Sequence, residues 1–553
     1  LTTSNRPVGR VLIAGTLALA VLAGACSDAS SKSDTTTSVS RSTATTASRC
    51  SVPDASQPVA AAAVAGSTSD HDVTSFDGTK IRVHWFPLAD ATSSSPKPTV
   101  LMGPGWGQAG DSNPNSSSIQ GILSIATLNK AGFNVLTWDP RGFGRSTGLA
   151  EVDYRKFEGR DVQRLLTWVS EQPGVQLDGA GDPRVGMVGA SYGGGIQLVT
   201  AGIDCRIDAI VPVIAWHSLV TSLAKANTFK QGWSTILTRT SATGHLDPMI
   251  TATYQQGVET GRVDAAGHAW YAARGPGEAL VGRIKVPTLI IQGTVDTLFT
   301  LDEGVTNYRI LRRNGVPTAM LWFCGGHGAC FTNPGDPNRV EQAAVSWLQH
   351  YVMRDQTVEL GPRFDTIDQN GVRYHAGDLP TPSSSVSATG SGTLPLTAEG
   401  GSGPAAAKTA RADVVGSLAA AIMPGKAANA VNVSVAAGTG DRLLLGPPTV
   451  TLAYHGTVAD GNRPERVFAQ LVDDTTGLVV GDQVTPIPVI LDGKDHTTTV
   501  PLEWISFDQA PGSSLTLQVV ATTVAYAQPR LGGSVDLTRV EVVLPVVTGM
   551  QRG

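Results

Sequence analysis

Between Arg184 and Gln197 the chain reads R-V-G-M-V-G-A-S-Y-G-G-G-I-Q, and this stretch restricts the fold more than any other. Val185, Met187 and Val188 form a short apolar strand, and the small residues after Ser191 open a helix. Strand, G-x-S-x-G and helix in that order describe a sharp elbow with Ser191 at its apex in a strained backbone conformation. Glycine is required two residues to either side of the serine, at Gly189 and Gly193, because neighbouring backbone comes too close for a Cβ. The turn lifts the Ser191 hydroxyl clear of a sheet and aims the Tyr192 N–H at a developing oxyanion. A glycine-serine loop that matched by chance would lack this setting of strand, helix and the further glycines Gly194 and Gly195.

The flanking sequence supplies the sheet. Val73–Phe76 and Lys80–Phe86, with alternating Ile81, Val83 and Trp85 about an Asp77-Gly78 turn, predict a hairpin. Short apolar strands follow at Pro98–Met102, Phe133–Trp138, Ala209–Ile214, Val286–Gln292 and Ala319–Phe323, separated by helical stretches such as Tyr154–Ser170. This alternation predicts an α/β fold with a mostly parallel sheet covered by helices on both faces. Ser218–Gly282 interrupts it with helical stretches, several aromatics and no strand, as a helical cap over the sheet edge would. Asp296 follows one strand and a glycine, and His327 follows the next within Cys324-Gly325-Gly326-His327. Serine, acid and histidine in that chain order, each just past a strand, are the α/β-hydrolase arrangement. In it His327 takes the Ser191 proton, Asp296 orients the imidazole, and backbone amides receive the oxyanion. Tyr192 supplies one amide; Trp106, in the glycine-rich loop Gly103–Gln108, is the candidate for the second. Asp139, in Asp139-Pro140-Arg141-Gly142-Phe143-Gly144-Arg145-Ser146, is expected to tie a structural corner. Trp216 and His217, ending a strand, are candidate pocket residues. This chemistry needs no metal or organic cofactor.

With 553 residues the chain is too long for one core. A net charge of −5 without a basic run argues against nucleic acid as a partner. Arg6 and Arg10 precede the apolar run Val11–Ala25, which is too short to span a bilayer and suits a signal peptide. Small residues before Cys26 resemble a bacterial lipobox, which would attach lipid at Cys26 and hold the protein on the outer face of a cell membrane. Ala23-Gly24-Ala25 also fits an ordinary cleavage site, which would leave a secreted protein. Residues 27–49, rich in Ser and Thr, form a flexible linker with a reach of roughly 25 Å. Without Cys26, four cysteines remain, an even set suited to an oxidising compartment. Cys324 with Cys330 would close a small ring around His327, and Cys50 with Cys205 would pin the N-terminal segment. Free thiols are the alternative; no C-x-x-C spacing supports a metal site.

Residues 50–355 are thus expected to form the α/β body, with the cap at about 218–282, and residues 356–553 a connector and a β-domain. Asp378–Lys408 reads as the connector. Strands are expected at Ala430–Val435, Thr449–His455, Arg466–Asp473, Thr485–Ile490, His496–Leu502, Ser514–Thr522 and Ser534–Leu544. By composition this sandwich could be a carbohydrate-binding module.

The quoted elbow with Gln197, Ile210-Val211-Pro212 before Ala215-Trp216, Gln292-Gly293-Thr294 through Asp296 to Leu298-Phe299, and Gly325-Gly326-His327 resemble one known group. They are similar to the Xaa-Pro dipeptidyl-peptidase and cocaine-esterase-like serine hydrolases. The resemblance covers roughly Ser69–Val547 and implies an α/β-hydrolase with helical cap followed by a jelly roll packed on it. It implies Ser191, Asp296 and His327 as triad, the Tyr192 amide in the oxyanion hole, and a small ester or peptide as substrate. The loop carrying Trp106 departs from the Tyr-bearing version common in that family. No acidic residue stands out for gripping a substrate amine, so ester and Xaa-Pro peptide cleavage both stay open. The alternatives are a polysaccharide-directed esterase with a carbohydrate-binding β-domain, and a non-catalytic surface-binding lipoprotein. Nothing in the sequence sets an oligomeric state.

Overall fold

The computed structural model describes residues 61–115, 123–336, 338–405 and 419–553. The expected signal peptide, the linker, Cys26 and Cys50 lie outside them. An eleven-stranded sheet organises the first part. Its strands run, edge to edge, Ser69–Thr74, Lys80–Phe86, Asn134–Trp138, Thr99–Gly103, Val185–Ala190, Ile207–Val213, Thr288–Gly293, Thr318–Phe323, Phe364–Ile367, Arg373–Ala376 and Gln551–Arg552. From Asn134–Trp138 to Phe364–Ile367 every pairing is parallel, and the outer pairings are antiparallel. Strands such as Thr99–Gly103 and Thr288–Gly293 are buried along their whole length, which explains their unbroken apolar runs: helices cover both faces. Helix Leu301–Arg313 shows how such a cover forms. Leu301, Val305, Tyr308 and Leu311 face the core, Glu303 sits in its first turn, and Arg312 and Arg313 end it, each charge matching the helix dipole.

The corner around Asp139 is structural. Its Oδ1 accepts from the Gly110 N–H at 2.8 Å and its Oδ2 from the Arg145 N–H at 2.7 Å. Arg141 forks onto Asp161, with Nε at 2.7 Å and Nη2 at 2.8 Å. Between residues 218 and 282 the elements are helical: Leu219–Leu223, Gln231–Thr240, Pro248–Thr260, Ala265–Ala272 and Gly277–Val281, with a short 3₁₀ turn at Lys225–Asn227. Cys324 and Cys330 form a disulfide. Cys205 is also disulfide-bonded, but Cys50, its expected partner, is not among the described residues.

The C-terminal part is a sandwich of two antiparallel sheets. Its core interleaves residues of both, including Val433, Leu471 and Leu517 from one and Leu444, Leu452 and Val540 from the other. Three strands differ from the sequence expectation. Ser384–Pro395, read as connector, is a twelve-residue strand paired with Gly533–Val547. Its Ser, Thr and Gly residues face solvent on alternate positions, so its composition hid a strand stabilised by backbone pairing. Arg442–Gly446 and Ile505–Gln509 are the other two, five residues each and paired with one another.

The expected boundary at residue 355 does not divide the cores. Phe364–Ile367 and Arg373–Ala376 continue the large sheet, and Gln551–Arg552 pairs at its edge. Leu443, Leu445, Trp504 and Val547 of the sandwich belong to the same apolar cluster as Trp322, Phe364 and Tyr374. Trp322 and Trp504 meet edge to face at 6.1 Å. Trp504→Ala should therefore destabilise the whole molecule by about 3–5 kcal/mol, the usual loss for a buried aromatic. Urea unfolding followed by a sheet-sensitive signal and by Ser191 labelling should show one shared transition moving to lower urea.

Candidate active site

The elbow forms because its small residues allow strand and helix to touch. Ser191 has φ 57° and ψ −114°, a conformation that is strained for any residue with a Cβ. A Cβ on Gly193 would sit 2.2 Å from the Gly103 carbonyl oxygen, and one on Gly189 would sit 2.6 Å from that of Gly193. Buried Gln197 fastens the turn. Its Nε2 donates to the carbonyls of Gly193 at 2.7 Å and Gly189 at 3.2 Å, and its Oε1 accepts from the Val211 N–H at 3.0 Å.

Ser191, His327 and Asp296 meet at the carboxyl ends of their three strands. Ser191 Oγ lies 2.8 Å from His327 Nε2, and His327 Nδ1 lies 2.7 Å from Asp296 Oδ2. Asp296 is wholly buried, and its other oxygen accepts from the N–H groups of Leu298 at 2.9 Å and Phe299 at 2.8 Å. A Cβ on Gly326, which has φ 105°, would come within 2.7 Å of Asp296 Oδ2, so the glycine before His327 lets the two loops close. Phe299 and Trp233 stand edge-on to the His327 ring at 5.1 and 5.5 Å. Tyr192 begins the helix Tyr192–Ile203, so its N–H is one of the first-turn donors a helix leaves free. Trp106 packs against the Tyr192 ring at 5.1 Å and donates its indole N–H to the Leu237 carbonyl, which joins the first loop to the cap.

Ser191 opens on a cavity of about 660 Å³, counting its mouth. Trp106, Val152, Tyr192, Trp216 and Phe299 line its body side, and Leu219, Leu237, Ile250, Tyr254 and Trp270 line its cap side. Among the described residues, none in the lining carries a charge. Trp216 is part of this lining, and His217 is not. The His217 imidazole turns away to Asn307, with Nδ1 at 2.8 Å from Oδ1, and its backbone N–H donates to Glu303. The next position along a chain leaving a strand faces the other way, so adjacency in sequence misled here. Lys230, Trp233 and Gln483 around the acid loop had no local motif to reveal them.

Acids are nevertheless close by, behind the elbow. The Tyr192 hydroxyl donates to Glu158 Oε1 at 3.2 Å, and Glu158 also accepts from the N–H groups of Glu151 and Tyr154. Burial pushes the Glu158 carboxyl up to about 8. Asp153 is wholly buried with no hydrogen-bond partner on either oxygen among the described residues, and burial holds its carboxyl well above the usual range. Both sit behind the Tyr192 ring rather than in the cavity.

The fold with this geometry defines an α/β-hydrolase carrying a C-terminal β-sandwich. Residues 77–329, a little under half of the chain, match the X-Pro dipeptidyl-peptidase (S15) family. Solved structures share the fold over most of the chain. An aminopeptidase from a marine sediment Thaumarchaeota archaeon superposes with a TM-score of 0.64 at 13% identity, covering 87% of this chain and 96% of its own. An α-amino acid ester hydrolase gives 0.64 at 14% identity, covering 91% and 100%. A CocE/NonD family hydrolase from Staphylococcus aureus gives 0.59 at 13% identity, covering 86% and 93%. An uncharacterized 31.7 kDa Escherichia coli protein from the traX-finO intergenic region is 31% identical over 89 residues, which are 16% of this chain and 29% of that relative.

The raised Glu158 carboxyl makes a prediction about stability. The folded state keeps this proton up to about pH 8, whereas the unfolded chain releases it near 4.5. Its contribution is therefore fully present below the unfolded value and is lost as pH rises through about 8. The thermal midpoint of Glu158→Gln should fall less between pH 5 and pH 8 than that of the unaltered protein; parallel curves from scanning calorimetry would contradict this.

Proposed function

We propose that this protein hydrolyses carboxylic esters of uncharged, apolar acyl groups, with Ser191 as nucleophile, His327 as general base and then acid, and Asp296 as the orienting carboxylate. The observation that carries the reading is the cavity beside Ser191, apolar and aromatic with no charged side chain among the described residues of its lining. An α-amine brought there as the free N-terminus of a peptide would be desolvated without a carboxylate to receive it, at a cost of several kcal/mol. An alkyl or aryl acyl chain loses nothing by entering and gains about 25 cal/mol for each Å² of apolar surface removed from water.

In the first step Ser191 Oγ attacks the ester carbonyl as its proton passes to His327 Nε2. The C–O bond to the alcohol then breaks, with the alcohol oxygen taking that proton. Water repeats the sequence on the acyl-enzyme, releasing the acid and restoring Ser191. The Tyr192 and Trp106 amides receive the oxyanion. Asp296 orients the imidazole and stabilises the imidazolium.

The reading includes export. The disulfide Cys324–Cys330 supports it, since such bonds persist in oxidising compartments. No helix among the described residues is long and apolar enough to cross a membrane. Attachment through lipid on Cys26 is the part that mass measurement of the mature N-terminus would decide.

The test pairs p-nitrophenyl butyrate with an Xaa-Pro-p-nitroanilide. Butyrate turnover should exceed anilide turnover by several orders of magnitude, and Ser191→Ala should lower it by about 10⁶. Preferred cleavage of the Xaa-Pro anilide would overturn the ester reading, and turnover that survives Ser191→Ala would overturn the triad.

A further inference from the structure

We propose that Lys230, a cap residue, is a positioning residue for Asp296, acting through the two peptide units that hold the Asp296 carboxylate. The inference rests on the triad reading above. Lys230 Nζ donates to the carbonyl oxygens of Thr297 at 3.1 Å and Leu298 at 3.2 Å. The Thr297 carbonyl shares its peptide unit with the Leu298 N–H, and the Leu298 carbonyl shares the next with the Phe299 N–H. Those N–H groups, at the far ends of the same two units, are the donors to Asp296 Oδ1. Two short chains therefore run in parallel from ammonium through a peptide unit to carboxylate.

Hydrogen bonds joined in series through an amide polarise one another, and an ionised donor at the head strengthens the whole chain. The ammonium thus sharpens the two donors that solvate Asp296 and fixes the planes from which they point. Water does not compete, since Lys230 is only 3% exposed. The cap helix that follows reinforces the same loop: Trp233 donates its indole N–H to Thr297 Oγ1 at 2.9 Å while standing against His327. Lys230 lines no part of the acyl cavity, so it is placed to affect turnover rather than substrate binding.

The charges facing Lys230 come from every part packed against it. Glu503 is contributed by the sandwich and pairs with Lys225 of the cap at 2.6 Å. Glu303 and Asp296 face it from the body, with Asp302 hydrogen-bonded to the same Glu503, and the Tyr526 ring lies 5.6 Å from Nζ. Burial outweighs these acids and brings the ammonium down to about 8.

The test measures kcat and KM of the full chain for p-nitrophenyl butyrate against pH, with active sites counted by a fluorophosphonate titrant. Lys230→Met should lower kcat per titrated site about 10- to 100-fold, as misplacement of a catalytic group does, with KM within about twofold. The acid limb of its kcat/KM profile should also move to higher pH, because a less well solvated carboxylate holds the imidazolium more tightly. Should that variant not fold, Lys230→Gln, with neutral donors of similar reach, should show the same displacement of the limb. A lower titratable fraction with unchanged kcat per site and an unmoved limb would reduce Lys230 to a packing role and overturn the proposal. Absence of Ser191-dependent turnover in the unaltered protein would remove the triad reading and this inference together.

Discussion

A carboxylate with no access to water is the constraint around which the molecule is arranged. Asp296 is fully buried, and an isolated ionised carboxyl could not remain there. It is held by the His327 imidazole and by two N–H groups of its own loop, and that loop has to be kept from relaxing. Residues from far along the chain do this. Lys230 and Trp233 of the cap bind the Thr297–Leu298 segment, and Gln483 of the sandwich donates to the Asp296 carbonyl at 2.8 Å. Thr300, just past the loop, donates to Glu503. Body, cap and sandwich thus converge on five residues, which gives the C-terminal part a physical reason to be present.

Charge is separated from the substrate's side of the site. Acids and bases are plentiful nearby, but they are held away from the cavity: Asp139 and Arg141 in the corner, Glu158 behind Tyr192, and Glu503 with Lys225 beneath the acid loop. What remains facing Ser191 is aromatic and aliphatic surface.

The molecule's parts are harder to separate than their order suggests. The final strand pairs with the edge of the first sheet, and Trp504 fills a core that also holds Trp322 and Phe364. The body begins near residue 69 and is completed only by residues 551–552, so its stability depends on both ends of the described chain.

The sequence by itself determined the features that depend on local backbone geometry. The elbow was legible because close contact admits only glycine at Gly189 and Gly193. The order of Ser191, Asp296 and His327 was legible because each follows a buried strand whose apolar run is unbroken. The helical cap was legible from the lack of strands, and most sandwich strands from their alternation. Only the tertiary structure decided the rest. Ser384–Pro395 is a strand because Gly533–Val547, far along the chain, pairs with it, which its Ser- and Gly-rich composition could not reveal. His217 turns away from the cavity because Asn307 and Glu303, on a distant helix, receive it. Lys230 and Gln483 reach the acid loop from other parts of the chain, so nothing in the sequence around them indicates a role there. Contacts within a turn are written in neighbouring residues; contacts that desolvate a charge come from wherever the fold brings a partner.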